Sequence, residues 1–470
     1  MSIPVISIAQ MREWETASWA AGKFETDVIR QVGKILAREA LQLTQPGDSI
    51  VILAGKGHNG DDARCAREHL PGRTVKVLEV KDAETDFSKL KALLTERPAL
   101  VIDGLFGIGI NRPLDASWVK FIERINAARL PVLAMDVPSG LNGDSGEPQG
   151  AAIEAVVTLT VGAPKIGLLQ HPTAKYVGRL IVAEDTGLIA CPCASELTWT
   201  VPQDFCDFPP RRPVAGHKGT FGHLAILAGS LGYHGAAVLA SRGAQRAQPG
   251  LITLFAQEHA YVPIAAQLQA VMVQLWSPKI DLPGKFSAVL VGPGLASPEV
   301  PEDLKETARR LWREASVPVI ADASALDWLP TDAFPKNAIR VVTPHPGEAA
   351  RLLKTTAARV QAERTTSLRE VSRHLDGAWV VLKGHQSLIG RAEGEISVNS
   401  SGNPFLGQGG SGDTLSGYLA GLLAQPALQA DPARTIRFAV WQHGATADLL
   451  TRTQPNWVVE DLLKHLGAAR

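Results

Sequence analysis

Four polar side chains stand where short apolar runs of the sequence end, and each could take part in chemistry. They are Asn59, Asp103, Asp136 and Ser139. Amide, carboxylate and hydroxyl oxygens suit a hard cation, and a carboxylate beside a bound ligand can serve as a general base. Each aspartate could instead form an Asx turn or cap a helix, so the residues alone leave a structural role open.

A second candidate is a glycine-rich segment directly before the apolar stretch YLAGLLA near the C-terminus. Backbone N–H donors at a helix start can surround one point and stabilise charge that develops on a transferred phosphoryl group. An aspartate at that point can accept the proton of a substrate hydroxyl. The segment predicts an anion hole with a catalytic base, with a capped glycine-rich loop as the alternative. Its residues are Gly409, Gly410, Ser411, Gly412 and Asp413.

The segment GKGHNGDD, at residues 55–62, is also rich in glycine and lies between a strand-like run and a helical stretch. Its backbone N–H groups could face a phosphate at the start of the following helix. The segment has neither the GxGxxG spacing of dinucleotide-binding turns nor the GxxxxGK[ST] spacing of a Walker loop. From these residues alone, a glycine-rich turn without a ligand is an equally open interpretation.

Parallel sheets are expected to position these residues. Short β-branched runs alternate with helical stretches, and the same alternation continues after a proline-rich connector at residues 190–214. This alternation is typical of βαβ units, whose ligands bind beyond the carboxyl ends of the strands. We therefore predict an α/β protein with two domains, the first a Rossmann-like three-layer αβα sandwich. The predicted strands lie at 49–55, 74–80, 99–107, 131–140, 155–165 and 178–187, and then at 223–230, 251–257, 288–294, 318–324, 339–347 and 378–384.

Composition and charge exclude several classes of protein. Lysine plus arginine and aspartate plus glutamate both number 47, so no net charge favours nucleic acid or an anionic membrane. A hydrophobic fraction of 45% is typical of a globular chain, and no apolar run reaches the ~18 residues that span a bilayer. Four cysteines in 470 residues do not make a disulfide framework, and the N-terminus lacks a secretory pattern. We expect free thiols and a cytoplasmic protein, with a zinc site at Cys191, Cys193 and Cys206 as the alternative.

The motifs GKGHNGDD, DGLFGIG and DVPSG, in this order and at this spacing, resemble the NAD(P)H-hydrate epimerase family over residues 1–205. The resemblance implies that this domain binds a hydrated dinucleotide. It also implies a potassium ion near Asn59, Asp103 and Ser139, and Asp136 as the acid/base group at the reacting carbon.

The same resemblance implies a set of substrate contacts and also shows two departures. His58 stands where the family has an asparagine, and Asp61 stands where it has a glycine, which adds a carboxylate beside an expected anion. A catalytically silent binding module is therefore the alternative for this domain. The implied contacts are His58, Asn59, Gly60, Asp61 and Asp62, followed by Gly107, Ile108, Gly109, Ile110, Asn111, Arg112 and Pro113.

The rest of the chain, residues 206–470, resembles the ADP/ATP-dependent NAD(P)H-hydrate dehydratases of the ribokinase-like superfamily. Ordered motifs carry this resemblance, among them HKG at 217–219, GPG at 292–294, TPHPGE at 343–348 and GGSGD at 409–413. The resemblance implies a ribokinase-like αβα domain with Asp413 as the base. Implied hydrated-dinucleotide contacts are Ala236 or Ala237, Gly294 and His345. Implied adenine-nucleotide contacts are Lys383, Gly384, His385, Gln386 and Ser387, together with Gly409, Gly410, Ser411 and Gly412.

Together the two resemblances imply repair of hydrated NADH and NADPH. One domain would interconvert the R and S hydrates. The other would phosphorylate the ring hydroxyl of the S hydrate with ADP or ATP and Mg²⁺, so that phosphate leaves and NADH or NADPH is regenerated. The expected partners are these hydrates and an adenine nucleotide, without nucleic acid or membrane, and we expect a homo-oligomer. A ribokinase-like small-molecule kinase with an accessory N-terminal domain is the remaining alternative.

Overall fold

The structure is a computed structural model that describes residues 2–110, 112–280 and 282–469. The chain divides into two units, Ile3–Ser195 and the part from Glu196 onward, called here the N-terminal and C-terminal units. Within the described ranges, no helix combines the length and apolarity that crossing a membrane requires. All four cysteines are free thiols.

The N-terminal unit alternates strands and helices along most of its length. Its strands are β1 (Ile3–Pro4), β2 (Ser49–Ala54), β3 (Thr74–Glu79), β4 (Leu100–Gly104), β5 (Val132–Met135), β6 (Val157–Val161) and β7 (Arg179–Ala183). Its helices are α1 (Ile8–Ala20), α2 (Glu25–Gln42), α3 (His58–Ala66), α4 (Ala83–Thr95), α5 (Ala116–Ala127) and α6 (Ala174–Val177).

A parallel sheet with the order β3-β2-β4-β5-β6-β7 forms the middle layer of this unit. Side chains alternate across its faces, so Ile50 and Ile52 pack with α2 and α3 while Val51 and Leu53 pack with α4 and α5. Both faces are therefore covered by helices, which is why the strands read as continuous apolar runs. The predicted three-layer sandwich is confirmed.

The C-terminal unit contains strands β8 (Leu197–Trp199), β9 (His223–Leu227), β10 (Leu251–Ala256), β11 (Met272–Leu275), β12 (Ala288–Val291), β13 (Val319–Ala321), β14 (Arg340–Val342), β15 (Trp379–Leu382), β16 (Leu388–Gly390) and β17 (Ile396–Val398). Its helices are α7 (His234–Ala247), α8 (Glu258–Ala265), α9 (Leu282–Lys285), α10 (Glu302–Glu314), α11 (Pro346–Leu352), α12 (Ala357–Ala362), α13 (Arg364–His374), α14 (Ser411–Leu423), α15 (Pro426–Gln429), α16 (Pro432–Thr453) and α17 (Val459–His465).

The sheet of this unit has the order β8-β17-β16-β15-β14-β13-β12-β9-β10-β11. Its strands from β11 to β15 are parallel, whereas β16 is antiparallel to both of its neighbours. The parallel part contains every strand predicted for this half. Strands β8, β11, β16 and β17 were not predicted from the sequence. Because β8 pairs with β17, the predicted domain boundary after residue 205 lies inside the C-terminal unit.

Helix α14, which begins at the predicted anion hole, is packed tightly against α7. A Cβ atom on Gly417 would lie 1.9 Å from Ala240 O, and one on Gly243 would lie 2.4 Å from Thr414 O. Only glycine allows the two backbones to approach this closely. The contact fixes the start of α14, and with it Asp413, relative to the sheet.

Candidate active sites

A cavity of about 880 Å³ lies at the carboxyl ends of the strands in the N-terminal unit. Residues that follow β2, β3, β4 and β5 line it, and Met11, Glu15 and Trp19 of α1 lie along another side. Parallel strands place their carboxyl ends at one edge of the sheet, where ligands of such folds bind. The predicted contacts that line this cavity are His58, Asn59, Asp62, Gly107, Ile108, Gly109, Ile110, Arg112 and Pro113. Asn111 lies outside the described residues.

The three predicted cation ligands come together beside this cavity. Ser139 Oγ donates to Asp103 Oδ1 at 2.6 Å, and Ser139 N–H donates to Asp103 Oδ2 at 2.8 Å. Asn59 Nδ2 donates to the carbonyl oxygens of Phe106 and Met135 at 2.8 and 2.9 Å. These bonds leave Asn59 Oδ1 without a donor among the described residues. Oxygen atoms from the ends of three strands therefore lie together beside the cavity, at the predicted cation position.

Asp103 is fully buried, and burial raises its pKa to about 6 despite the hydrogen bonds from Ser139 and Leu105. Within the described residues, no cationic side chain pairs with this carboxylate. A monovalent cation held by these oxygens would supply the missing positive charge, so the donor set fits potassium. Groups of three or more His, Cys, Asp or Glu side chains that could hold a metal are absent from the described ranges.

Asp136, the predicted acid/base group, has a positive φ of 60° and is mostly buried. Its Oδ1 accepts from Lys165 Nζ at 2.6 Å and also from Thr160 Oγ1 and Val161 N–H. Its Oδ2 makes no hydrogen bond to a described residue. Sequence reasoning missed Lys165, although its place at the end of the run AVVTLTVGAPK was a usable signal.

Two further carboxylates lie close to Asp136 along the cavity. Burial, together with the negative charge of Asp136, raises the pKa of Asp62 well above its ordinary value. Burial and Asp136 also raise the pKa of Glu15. Asp62 was predicted as a substrate contact, whereas Glu15 was missed because its place on α1 gives no motif signal. The negative charge of Asp136 is therefore felt by both of these cavity carboxyls.

The two departures from the family pattern do not place a free charge in the cavity. Asp61 Oδ1 pairs with Arg64 Nη1 at 2.7 Å, and neither Asp61 nor Gly60 is among the residues that line the cavity. His58 Nε2 lies 3.0 Å from Glu25 Oε1 near the rim. Position 60 requires glycine for packing, because a Cβ atom there would lie 2.1 Å from Gly55 O.

In the C-terminal unit, the predicted anion hole forms the first turn of α14. Gly410 precedes the helix with a φ of 89°, and a Cβ atom there would meet Leu239 Cδ1 at 2.3 Å. The N–H groups of Gly412 and Asp413 have no hydrogen-bond acceptor among the described residues. Free N–H donors at a helix start are suited to binding an anion, and the anion hole at this segment stays a prediction.

Asp413 belongs to a cluster of charged side chains that sequence reasoning only partly identified. Lys383 Nζ lies 3.0 Å from Asp322 Oδ1 and 3.7 Å from Glu348 Oε2. Burial alone would lower the pKa of Lys383, but Asp322, Glu348 and Asp413 reverse this and raise it. Burial raises the pKa of Asp413 to about 6, with a further upward contribution from Asp322. Asp322 lies within the predicted strand at 318–324 and Glu348 ends TPHPGE, so both were visible in the sequence without an assigned role.

The other predicted ligand contacts of the C-terminal unit differ in burial and in backbone conformation. Ala237 is fully buried in the core, whereas Ala236 lies near Gly294, whose φ is 66°. His345 caps α11, where its Nδ1 accepts from Gly347 N–H at 3.0 Å. Gln386 has a φ of 52° in the segment after β15. That segment, Lys383, Gly384, His385, Gln386 and Ser387, runs from the charged cluster along the end of β15.

The fold of the C-terminal unit and its N–H-lined helix start define a ribokinase-like αβα domain. A ribokinase-like superfamily protein from Enterococcus faecalis, 24% identical, superposes with a TM-score of 0.52 and covers 59% of this chain and 96% of its own. The ADP/ATP-dependent NAD(P)H-hydrate dehydratase of Bacillus subtilis, co-crystallised with ATP and Mg²⁺, is 31% identical, with a TM-score of 0.48 and coverage of 55% and 92% of the two chains.

Family models match both units. The model for the YjeF-related protein N-terminus matches residues 25–167, and the model for NAD(P)H-hydrate dehydratase matches residues 224–467. The bifunctional NAD(P)H-hydrate repair enzyme of Gloeobacter violaceus is 33% identical over 95% of this chain and 93% of its own length. The chain belongs to the family of bifunctional NAD(P)H-hydrate repair enzymes.

Proposed function

We propose that this protein repairs hydrated NADH and NADPH through two activities. The N-terminal unit interconverts the R and S hydrates, and the C-terminal unit dehydrates the S hydrate with ADP or ATP as phosphoryl donor. Family membership along nearly the whole chain supports both assignments. The observation that carries the proposal is Asp413, a base next to free N–H donors at the start of α14.

Dehydration requires that a poor leaving group become a good one. Asp413 accepts the proton of the hydroxyl on ring carbon 6, and the hydroxyl oxygen bonds to the terminal phosphorus of the nucleotide. The N–H groups of the helix start, which include Gly412, stabilise charge on the transferring group. AMP leaves when ADP is the donor. The lone pair of the ring nitrogen then expels inorganic phosphate from carbon 6, and loss of a proton from ring carbon 5 to solvent regenerates the reduced nicotinamide.

Mg²⁺, when bound, would neutralise charge on the nucleotide phosphates. Lys383 lies at the edge of this site, since a Cβ atom on Gly412 would be 3.4 Å from Lys383 Nζ. An ammonium at this position is suited to the nucleotide phosphates. Asp322 and Glu348 hold it there. We expect ADP rather than ATP to be the preferred donor, in line with bacterial-type fused chains of this family.

Epimerisation requires an acid/base group at the reacting carbon of the hydrate. Asp136 has one oxygen held by Lys165 and the other free, so the carboxylate can move a proton without losing its position. Potassium, when held by Asn59, Asp103 and Ser139, would add positive charge at this end of the cavity. The pairing of Asp61 with Arg64 supports an active domain over a silent one.

The test is recovery of reduced-nicotinamide absorbance from a mixture of hydrate epimers with purified protein, Mg²⁺, K⁺ and either ADP or ATP. Full recovery with one nucleotide supports both activities and identifies the donor. Recovery limited to the S fraction, with only slow spontaneous exchange afterwards, would mean a silent N-terminal domain. Absence of recovery with both nucleotides would favour a small-molecule kinase. A cytoplasmic location and a homo-oligomeric state stay predictions.

A further inference from the structure

The cavity of the N-terminal unit extends across the sheet from β5 to β3. Asp136 follows β5 at one end, and Val80 and Lys81 follow β3 at the other. The strands β2 and β4 lie between them, so the two ends are separated by three strand spacings, roughly 14 Å. An elongated ligand such as a dinucleotide can therefore place its reacting ring at Asp136 and its adenosine ribose near β3.

The end of β3 is the position that reads the adenosine ribose in Rossmann-like sheets. A free acidic residue there binds the 2′-hydroxyl of NAD, whereas a cation accommodates the 2′-phosphate of NADP. Glu79 is the last residue of β3, but its Oε1 and Oε2 accept from Arg64 Nε and Nη2 at 3.1 and 2.7 Å. Glu79 is not among the residues that line the cavity. The carboxylate that would favour NADH is thus already occupied.

The cavity surface at this end carries unpaired cations instead. Lys81 lines it beyond β3, and Lys56 lines it on the turn after the neighbouring strand β2. Neither lysine forms an ion pair with a described residue, and the same holds for Arg112 on the turn after β4. Asp115 also lines the cavity, and its carboxylate accepts from Trp118 N–H at 3.0 Å as the cap of α5. Cationic side chains on the turns after β2, β3 and β4 are therefore available to an anionic group of a ligand in this cavity.

We infer that the N-terminal site prefers the hydrate of NADPH to the hydrate of NADH, with Lys81 and Lys56 recognising the 2′-phosphate. This inference rests on the proposed epimerase function. A phosphate dianion next to two ammonium groups makes charge-assisted hydrogen bonds, whereas the 2′-hydroxyl of NADH gains little from them. The preference lies in binding because this end is far from Asp136.

The test follows exchange between the R and S forms of each hydrate by chromatography, with ADP and ATP omitted so that dehydration does not consume them. We expect the wild type to have a higher kcat/KM for NADPH-hydrate. We expect Lys81→Ala to raise KM for NADPH-hydrate about tenfold, the effect of one charge-assisted contact, and to leave NADH-hydrate unchanged. Lys91→Ala, on the exposed side of α4, is the matched control and should alter neither value.

Equal use of the two hydrates by the wild type would overturn the inference. An equal loss for both hydrates in Lys81→Ala would also overturn it, since it would indicate a general effect on folding or on the cavity. Exchange of neither hydrate is a different result, because it would refute the proposed epimerase function on which the inference rests.

Discussion

The ammonium of Lys165 lies 2.6 Å from Asp136 Oδ1, and the lysine side chain is fully buried. The same Nζ also contacts Thr160 Oγ1 and Val161 O at 3.0 Å each. All three N–H donors of this ammonium are therefore used inside the protein. The pair holds Asp136 at the edge of the cavity with one carboxylate oxygen left for the substrate.

Lys165→Met should abolish hydrate epimer exchange and destabilise the protein. The substitution leaves the Asp136 carboxylate buried and unpaired, and breaking a buried ion pair costs about 3–5 kcal/mol. Epimer chromatography and thermal denaturation measure the two effects. The double variant Asp136→Asn/Lys165→Met removes both charges, so it should regain much of the stability but no exchange activity. Wild-type exchange by Lys165→Met would show that the pair is not needed for the reaction.

The rate of S-hydrate dehydration should decrease at acidic pH because Asp413 must be ionised to accept a proton. Its pKa is raised to about 6, so kcat/KM should be flat above that pH and fall about tenfold per unit below it. Asp322→Asn removes a charge that raises this pKa, and the acid limb should move to lower pH. Asp327→Asn, an exposed site paired with Arg351, should leave the limb in place. An unmoved limb in Asp322→Asn would mean that another group titrates.

Potassium should accelerate epimer exchange, and Asp103→Asn should remove that response. Replacing K⁺ with Li⁺ at constant ionic strength is expected to slow exchange about tenfold, equivalent to ~1.4 kcal/mol of transition-state stabilisation. K⁺ should also raise the melting temperature of the wild type, since a ligand that binds only the folded state stabilises it. The same rate and melting temperature in both salts would argue against a cation at Asn59, Asp103 and Ser139.

Arg64→Ala should weaken hydrate binding at the N-terminal site. The substitution frees the carboxylates of Asp61 and Glu79 beside the turn at residues 55–59, where the substrate phosphates are expected. We expect KM for exchange of NADPH-hydrate to rise about fivefold, a modest effect because these groups are partly exposed and screened. Adding Asp61→Asn should recover part of the loss, and Asp61→Asn alone should change KM little. A normal KM in Arg64→Ala would mean that the phosphates bind elsewhere.

The sequence by itself determined the two α/β domains and the strand ends that carry the candidate chemistry. β-branched runs of this length and spacing form parallel strands, and such strands bring their carboxyl ends to one edge. This is why Asp103 and Ser139, which belong to different strand ends, could be expected near each other and lie in contact. The roles assigned to these residues stay predictions.

The tertiary structure alone decided which charges meet. Lys165 reaches Asp136, and Asp322 and Glu348 surround Lys383 beside Asp413, because neighbouring strands come from distant parts of the chain. Pairings of this kind depend on strand order and side-chain direction, which local sequence patterns do not encode. The short strands β8, β11, β16 and β17 were missed for the same reason, since pairing with a neighbouring strand stabilises them more than their own residue preferences do.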